Sequence, residues 1–219
     1  MDELLEKLIE EHHLSREEWR ALLARRRSLD QALLFGRAEA ERRRWYRDAI
    51  YVRGLIECTN ICKNNCLYCG IRRGNPAVSR YRLERDTILD CCARGYEWGF
   101  RTFVLQGGED PGLSPDQIAD WVGAIKANWP DCAVTLSFGE YERPIYQLWF
   151  DAGADRYLLR HETADAAHYA MLHPPEMALG HRLDCLHTLK EIGYQVGAGF
   201  MVGPPGQTPD TLAADFCFL

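Results

Sequence analysis

The sequence reads as an α/β protein on a parallel sheet, the first part of a (βα)8 barrel of the TIM type. Three observations carry this reading. From about residue 51, short β-branched or apolar runs alternate with stretches of helical period. The intervals between runs are far longer than a hairpin, so successive strands run parallel with a helix crossing between them. A loop rich in cysteine and another rich in glycine directly follow strand ends, where such barrels carry their sites.

Residues 1–50 read as a helical extension. Ser15 and Glu18 form a capping box ahead of Trp19, Leu22 and Leu23, and a second helix runs from about Leu29 to Arg47. Neither helix carries a chemical motif, which suits a cap on the core. The strand candidates follow: Val52–Glu57, Thr102–Gln106, Ala133–Phe138, Arg156–Arg160 and Gln195–Met201. Between them, Ser114, Pro115 and Gln117 open a helix that places Ile118, Trp121, Val122, Ile125 and Trp129 on one face. Leu183, Leu186 and Leu189 line another, which Gly193 ends, and Thr208 with Pro209 opens the last. Five strand–helix units fit, and the fifth helix runs into Leu219 without a stop signal. A closed barrel needs eight units. Residues 51–219 are therefore expected to be a barrel domain incomplete at its C-terminus, with two open sheet edges and an uncovered interior.

Composition excludes several classes. The 219 residues are 47% hydrophobic and 26% charged, with a formal net charge of −6, which gives no footprint for general nucleic-acid binding. Glu39 and Glu41 balance Arg42, Arg43 and Arg44, so this run reads as a solvated helix face. No apolar run approaches the roughly 20 residues that span a membrane. The acidic, amphipathic start is not a secretory signal, and nine cysteines is an odd number. Both point to reduced thiols in the cytoplasm.

Three of those cysteines form a C-x3-C-x2-C triplet at Cys62, Cys66 and Cys69, directly after the first strand. A 4Fe–4S cluster takes four cysteine ligands. Three would leave one iron open to a small molecule. A structural zinc site is the alternative, with Cys58 or a remote histidine as fourth ligand, although zinc motifs usually come in paired spacing. Cys58 reads as a small buried hydrophobe. Cys91, Cys92, Cys132, Cys185 and Cys217 lack metal spacing and read as packing residues. After the second strand comes Gln106-Gly107-Gly108-Glu109-Asp110-Pro111. Two glycines there let the backbone approach a ligand closely, although alone they make an ordinary turn.

Together the cysteine triplet and the Gly-Gly-Glu element resemble the radical S-adenosylmethionine superfamily. The resemblance implies that Cys62, Cys66 and Cys69 hold a 4Fe–4S cluster whose fourth iron takes the amino and carboxylate groups of S-adenosylmethionine. It implies that Gly107, Gly108 and Glu109 hold the methionine amino group, and that Tyr68 lies near the adenine. The implied chemistry is reductive cleavage to methionine and a 5′-deoxyadenosyl radical. Longer blocks resemble the FeFe-hydrogenase maturase family HydE, within the biotin synthase-like group. They are Cys66–Arg73, Arg80–Leu83, Val104–Pro111, Val134–Glu140, Ala152–Thr163, Gly197–Gly203 and Pro205–Thr208. That resemblance implies that Glu162 and Arg182 contact S-adenosylmethionine, Arg182 by clamping the carboxylate and Glu162 by accepting from ribose hydroxyls. It places Thr135, Arg160 and Met201 in the barrel interior, where substrate binds. Taken alone, Met201 reads as core and Thr135 as an ordinary strand residue, whereas a barrel-facing Arg160 would be an unpaired buried charge without a ligand. His161 should face the other way and be a hydrogen-bonded structural histidine. The implied partners are an organometallic iron substrate, an electron donor and other hydrogenase maturases. Methylornithine synthase, another biotin synthase-like enzyme, is the nearest alternative, and a non-catalytic iron–sulfur or zinc module the alternative of another class.

Overall fold

A computed structural model describes residues 3–219, so Met1 and Asp2 of the expected extension lie outside the described residues. Five parallel strands form one sheet in the order β1 (Gly54–Thr59), β2 (Thr102–Gly107), β3 (Ala133–Ser137), β4 (Arg156–Leu158) and β5 (Gln195–Gly197). Spatial order follows chain order without a reversal, the arrangement of a barrel rather than of a doubly wound sheet. Val104 sits beside Thr135, Thr135 beside Arg156, and Arg156 beside Gln195. With Leu55, these side chains share one face. The alternate residues Ile56, Cys58, Phe103, Leu105, Val134, Leu136 and Tyr157 take the opposite face and are all buried.

That buried face is covered by α4 (Arg85–Glu97), α5 (Pro115–Asn128), α6 (Arg143–Asp151) and α8 (Leu179–Ile192). The capping box of Ser114 and Gln117 starts α5, and Ile118, Trp121, Val122 and Ile125 are its buried stripe. A short helix, α7 (Ala166–Leu172), lies between β4 and α8, and α9 (Pro209–Phe218) starts from a capping box at Thr208. The largest buried side chains are aromatic: Trp149, Tyr146, Tyr157 and Tyr169. Their polar tips are used to hold loops. Tyr157 Oη and Tyr146 Oη donate to the Gly139 carbonyl at 2.9 and 3.1 Å, and Trp149 Nε1 donates to that of Pro115 at 2.8 Å. The core thereby fixes the loop after β3, which carries Glu140.

The other face is half open. Leu55 is 56% exposed, and β1 and β5 each pair on one side only. The strands also differ from the sequence expectation at their ends. β1 starts two residues later than expected and continues through Thr59, because Glu57 and Thr59 pair with Gln106 and Gly107. β4 and β5 are three residues each, so Arg160 and Met201 fall outside regular strand. The regular ladder ends at Leu158 and Gly197, and Glu162, with a φ of +66°, bridges to Phe200 past the break. Pairing resumes irregularly beyond, with Glu162 N–H donating to Gly199 and Met201 N–H donating to Glu162, both at 3.0 Å.

Ahead of the sheet come α1 (Glu3–Glu11), α2 (Arg16–Ala24) and α3 (Gln31–Tyr46). Only part of this segment caps the core. α2 packs on α9, with Trp19 stacked on Phe216 at 4.4 Å, whereas α3 has no buried residue. Among the described residues no helix is long and apolar enough to cross a membrane. Cys58, Cys92, Cys132 and Cys185 are buried as expected. Cys91 and Cys217 are not packing residues: both are exposed, because they lie on the solvent sides of α4 and α9.

Candidate active site

The loop after β1 is a wrapped polar segment with a built frame. Arg80 reaches into it and donates to four carbonyls: Asn60 at 2.5 Å, Ile71 at 2.7 Å, Arg72 at 2.8 Å and Asn75 at 3.3 Å. Asn65 Oδ1 accepts from Gly74 N–H, and Lys63 N–H donates to the Glu109 carbonyl. Behind the loop, Arg82 forks onto the buried carboxylate of Asp110 at 2.6 and 2.8 Å, and Thr59 Oγ1 donates to the same group at 2.9 Å. Burial tends to raise the Asp110 pKa, but these bonds prevail and hold it below the usual carboxylate value. The glycines at the end of β2 serve this packing. A Cβ on Gly108 would overlap the Ile61 carbonyl and the Cβ of Cys62, so only glycine lets the cysteine loop settle there.

One cleft of about 250 Å³ takes in ten of the twelve residues singled out from the sequence: Cys62, Cys66, Cys69, Tyr68, Gly107, Gly108, Glu109, Arg160, Glu162 and Arg182. It opens at the C-terminal ends of the strands, on the barrel's site face. Thr135 and Met201 are not brought there. Thr135 lines a cavity of about 410 Å³ toward the other end of the strands, with a buried Oγ1 that has no partner among the described residues. Met201 lines neither cavity. Arg160 is exposed at the cleft, not buried, so its charge needs no ligand to be tolerated. His161 turns away from the cleft as expected and is fully buried, but among the described residues neither ring nitrogen has a hydrogen-bond partner. Its charged neighbour is Asp215 on α9, at 3.6 Å.

Burial sets the electrostatics. It pushes Cys66 up to about 11 and raises Cys62 as well, while Cys58, in the core under the helices, reaches about 12. Glu162 is 8% exposed, and its Oε2 has no partner among the described residues. Its pKa is raised first by burial, against the pull of Arg160 and Arg182. Arg182 is also buried, and its Nε lies 2.5 Å from Glu140 Oε1, while Nη1 donates to the Arg160 carbonyl at 3.2 Å. Burial lowers its pKa, but Glu140 and the surrounding oxygens outweigh that and the net shift is upward. Glu140 is therefore a site residue that the motif reading passed over. Its own N–H donates to Glu109 Oε1 at 3.1 Å, and Lys63 Nζ sits 3.1 Å from Glu109 Oε2. Gly139 allows this, because it has a φ of +90° and any Cβ there would overlap the Glu109 side chain.

The wall beside the cysteines is Tyr68, held by His173. The phenol oxygen is 3.0 Å from His173 Nε2, and His173 Nδ1 is 2.9 Å from the Tyr169 carbonyl. Burial pushes His173 down to about 4. No sequence signal marks His173, which lies 105 residues from Tyr68.

The residues present fit the implied groups. A buried carboxylate with an unpartnered oxygen, a buried arginine lining the cleft, and three thiols on one polar loop match a sulfonium nucleotide over an iron–sulfur cluster. Among the described residues no three His, Cys, Asp or Glu side chains group as a single metal ion requires.

Comparison with known proteins agrees. The family model described as the radical SAM superfamily matches residues 56–218. The chain is 47% identical over 218 residues to the [FeFe] hydrogenase maturase subunit HydE of Thermotoga maritima, covering 99% of this chain and 61% of that protein. It is 28% identical over 214 residues to 3-methylornithine synthase of Methanosarcina acetivorans, covering 97% of this chain and 60% of that one. The chain thus spans about three fifths of these curated relatives. The crystal structure of methylornithine synthase superposes with a TM-score of 0.84 at 24% identity, over 97% of this chain and 62% of that one. The hydrogenase maturase HydG superposes with a TM-score of 0.82 at 24% identity, over 98% and 48%. These two likenesses show the fold, a TIM-barrel-like α/β sheet. Since the family match runs from the first strand to the last helix and takes in the cysteine loop, the chain belongs to the radical SAM superfamily.

Proposed function

We propose that the protein is a radical S-adenosylmethionine enzyme of the HydE kind, acting in maturation of the FeFe-hydrogenase active-site cluster. The observation that carries this is the 47% identity to HydE over 218 residues, against 28% to 3-methylornithine synthase over a similar span. In this reading residues 1–50 are a helical extension and 51–219 the barrel domain, of which the five units here are a part. Nine free thiols suit a reducing cytoplasm.

Cys62, Cys66 and Cys69 hold the 4Fe–4S cluster. Bound there, it supplies one electron, from an external donor, for cleavage of S-adenosylmethionine to methionine and a 5′-deoxyadenosyl radical. The chain's own residues orient the nucleotide and exclude water. Glu162 accepts from ribose hydroxyls with its unpartnered carboxylate. Gly107, Gly108 and Glu109 receive the methionine amino group. Arg182 binds the carboxylate end-on through its terminal nitrogens, because Glu140 already occupies Nε. Tyr68 walls the adenine. Arg160, at the same cleft, is the best placed of the substrate-binding candidates Thr135, Arg160 and Met201. The substrate is an organometallic iron species, exchanged with other hydrogenase maturases.

Anaerobic reconstitution with iron and sulfide tests this. Wild-type protein given S-adenosylmethionine and a strong reductant is expected to release 5′-deoxyadenosine, and Cys69→Ala to release none. Equal release from Cys69→Ala would sink the cluster assignment, and zinc as the sole metal taken up would favour a passive module. Complementation then separates the substrates. The gene should restore FeFe-hydrogenase activity to a host lacking its HydE and should not support pyrrolysine synthesis in a host lacking methylornithine synthase.

A further inference from the structure

The contact between Tyr68 and His173 has a direction that the geometry fixes. The Tyr169 carbonyl can only accept, so the 2.9 Å contact puts the imidazole proton on Nδ1. Nε2 is then a bare acceptor, and the Tyr68 hydroxyl at 3.0 Å donates to it. The ring is held in this orientation. His173 is 4% exposed and stacks on Tyr169 with centroids 3.7 Å apart and planes 13° apart. Tyr68 itself is 39% exposed and stands on the cleft, with the Cys66 thiol as a second polar neighbour of its hydroxyl. Two neighbouring contacts join the same segments: Leu67 N–H donates to the Leu172 carbonyl at 2.9 Å, and Cys66 Sγ lies 3.7 Å from Met177 Sδ. The end of α7 and the link to α8 thus grip residues 66–68 from across the sheet.

We propose that His173 is a positioning residue: its neutral Nδ1–H imidazole holds the Tyr68 phenol in the cleft wall and so presets the face that receives an adenosyl nucleotide. The nucleotide part rests on the function proposed above, whereas the anchoring of Tyr68 does not. A residue needed only to fill space would be replaced by any side chain of similar volume. An acceptor at Nε2 is replaced by glutamine, whose Oε1 can reach the same hydroxyl, but not by leucine.

The first test needs no cofactor. In protein labelled with ¹⁵N-histidine, the His173 signals are assigned by their loss in His173→Gln. They should show Nδ1 protonated and Nε2 bare at neutral pH, and Tyr68→Phe should shift the Nε2 resonance. A proton on Nε2, or no shift in Tyr68→Phe, overturns the anchor. The second test measures binding of S-adenosylhomocysteine to anaerobically reconstituted protein by calorimetry, with iron content checked. His173→Leu should bind about 3- to 10-fold more weakly, the loss of one hydrogen bond. His173→Gln should stay within about twofold of wild type. Tyr68→Phe should resemble His173→Leu, and the double variant should be no worse than either single one. Wild-type affinity in His173→Leu, or additive losses, overturns the positioning role. Wild-type protein that ignores S-adenosylhomocysteine while the ¹⁵N pattern holds refutes the nucleotide reading and leaves the anchor standing. Should His173→Leu fail to fold, His173→Gln, Tyr68→Phe and the ¹⁵N pattern decide the matter.

Discussion

Glu162 carries two local penalties at once. Its backbone is left-handed, which costs a non-glycine residue about 1–2 kcal/mol, and its carboxylate is buried with one oxygen unpartnered. Residues kept in such a state are candidates for ligand contact. Glu162→Gln keeps the shape and removes the charge. It is expected to raise stability by about 1 kcal/mol and to weaken S-adenosylmethionine binding by about 10- to 100-fold, as for a hydrogen bond to a charged group. Chemical denaturation and calorimetry check the two halves, and a less stable variant would count against the assignment. The pH dependence follows from the raised pKa. The folded carboxyl holds its proton above the ordinary value of 4.5, so its contribution favours folding below that pH and is lost as pH rises through the folded value. The advantage of Glu162→Gln should therefore grow from pH 4.5 toward neutrality. His173 has the opposite sense. The unfolded ring titrates near 6.5 and the folded one at about 4, so the unfolded state takes up the proton first and stability falls as pH drops from 6.5 toward 4. In apo-protein melts, His173→Gln should show a smaller loss between pH 7 and 5 than wild type.

The cysteine loop stands or falls with two supports. Gly108 gives it room, and Arg80 binds four of its carbonyls. Gly108→Ala must push the loop off β2, and Arg80→Ala leaves those carbonyls without their donor. Each is expected to cost about 2–3 kcal/mol and to cut the iron retained after reconstitution by more than half. Iron analysis with a denaturant titration measures both, and full iron loading in Arg80→Ala would show that the loop supports itself. The capped ends of these elements were legible in the sequence. Ser15 with Glu18 and Ser114 with Gln117 are local signals, each satisfied by hydrogen bonds three residues away. The support from Arg80 was not legible, because nothing near Arg80 says which carbonyls 5 to 20 residues earlier it will meet.

Viewed together, the layers are asymmetric. Helices seal one face of the sheet, and α2 fastens to α9 through Trp19 and Phe216. Trp19 is only partly buried, so Trp19→Ala is expected to cost about 1–2 kcal/mol, read as a shift in denaturation midpoint with unchanged nucleotide binding. The opposite face and the edges β1 and β5 are accessible, with Leu55 on the open side. This chain should self-associate as its concentration rises, and Leu55→Lys should shift it toward monomer in light scattering.

The sequence was sufficient for what local chemistry controls: the alternation of strand and helix, the helix starts, the three thiols on a loop after a strand, and the glycines beside them. Periodicity and capping act over a few residues, so they can be read without coordinates. Contacts of long range needed the folded chain. Tyr68 meets His173, Arg182 meets Glu140, and Cys66 meets Met177 only because parallel strands carry their loops to one end of the sheet. The left-handed turn at Glu162 and the exposure of Arg160 arise in the same way, from pairing and packing between segments that the chain brings together only on folding.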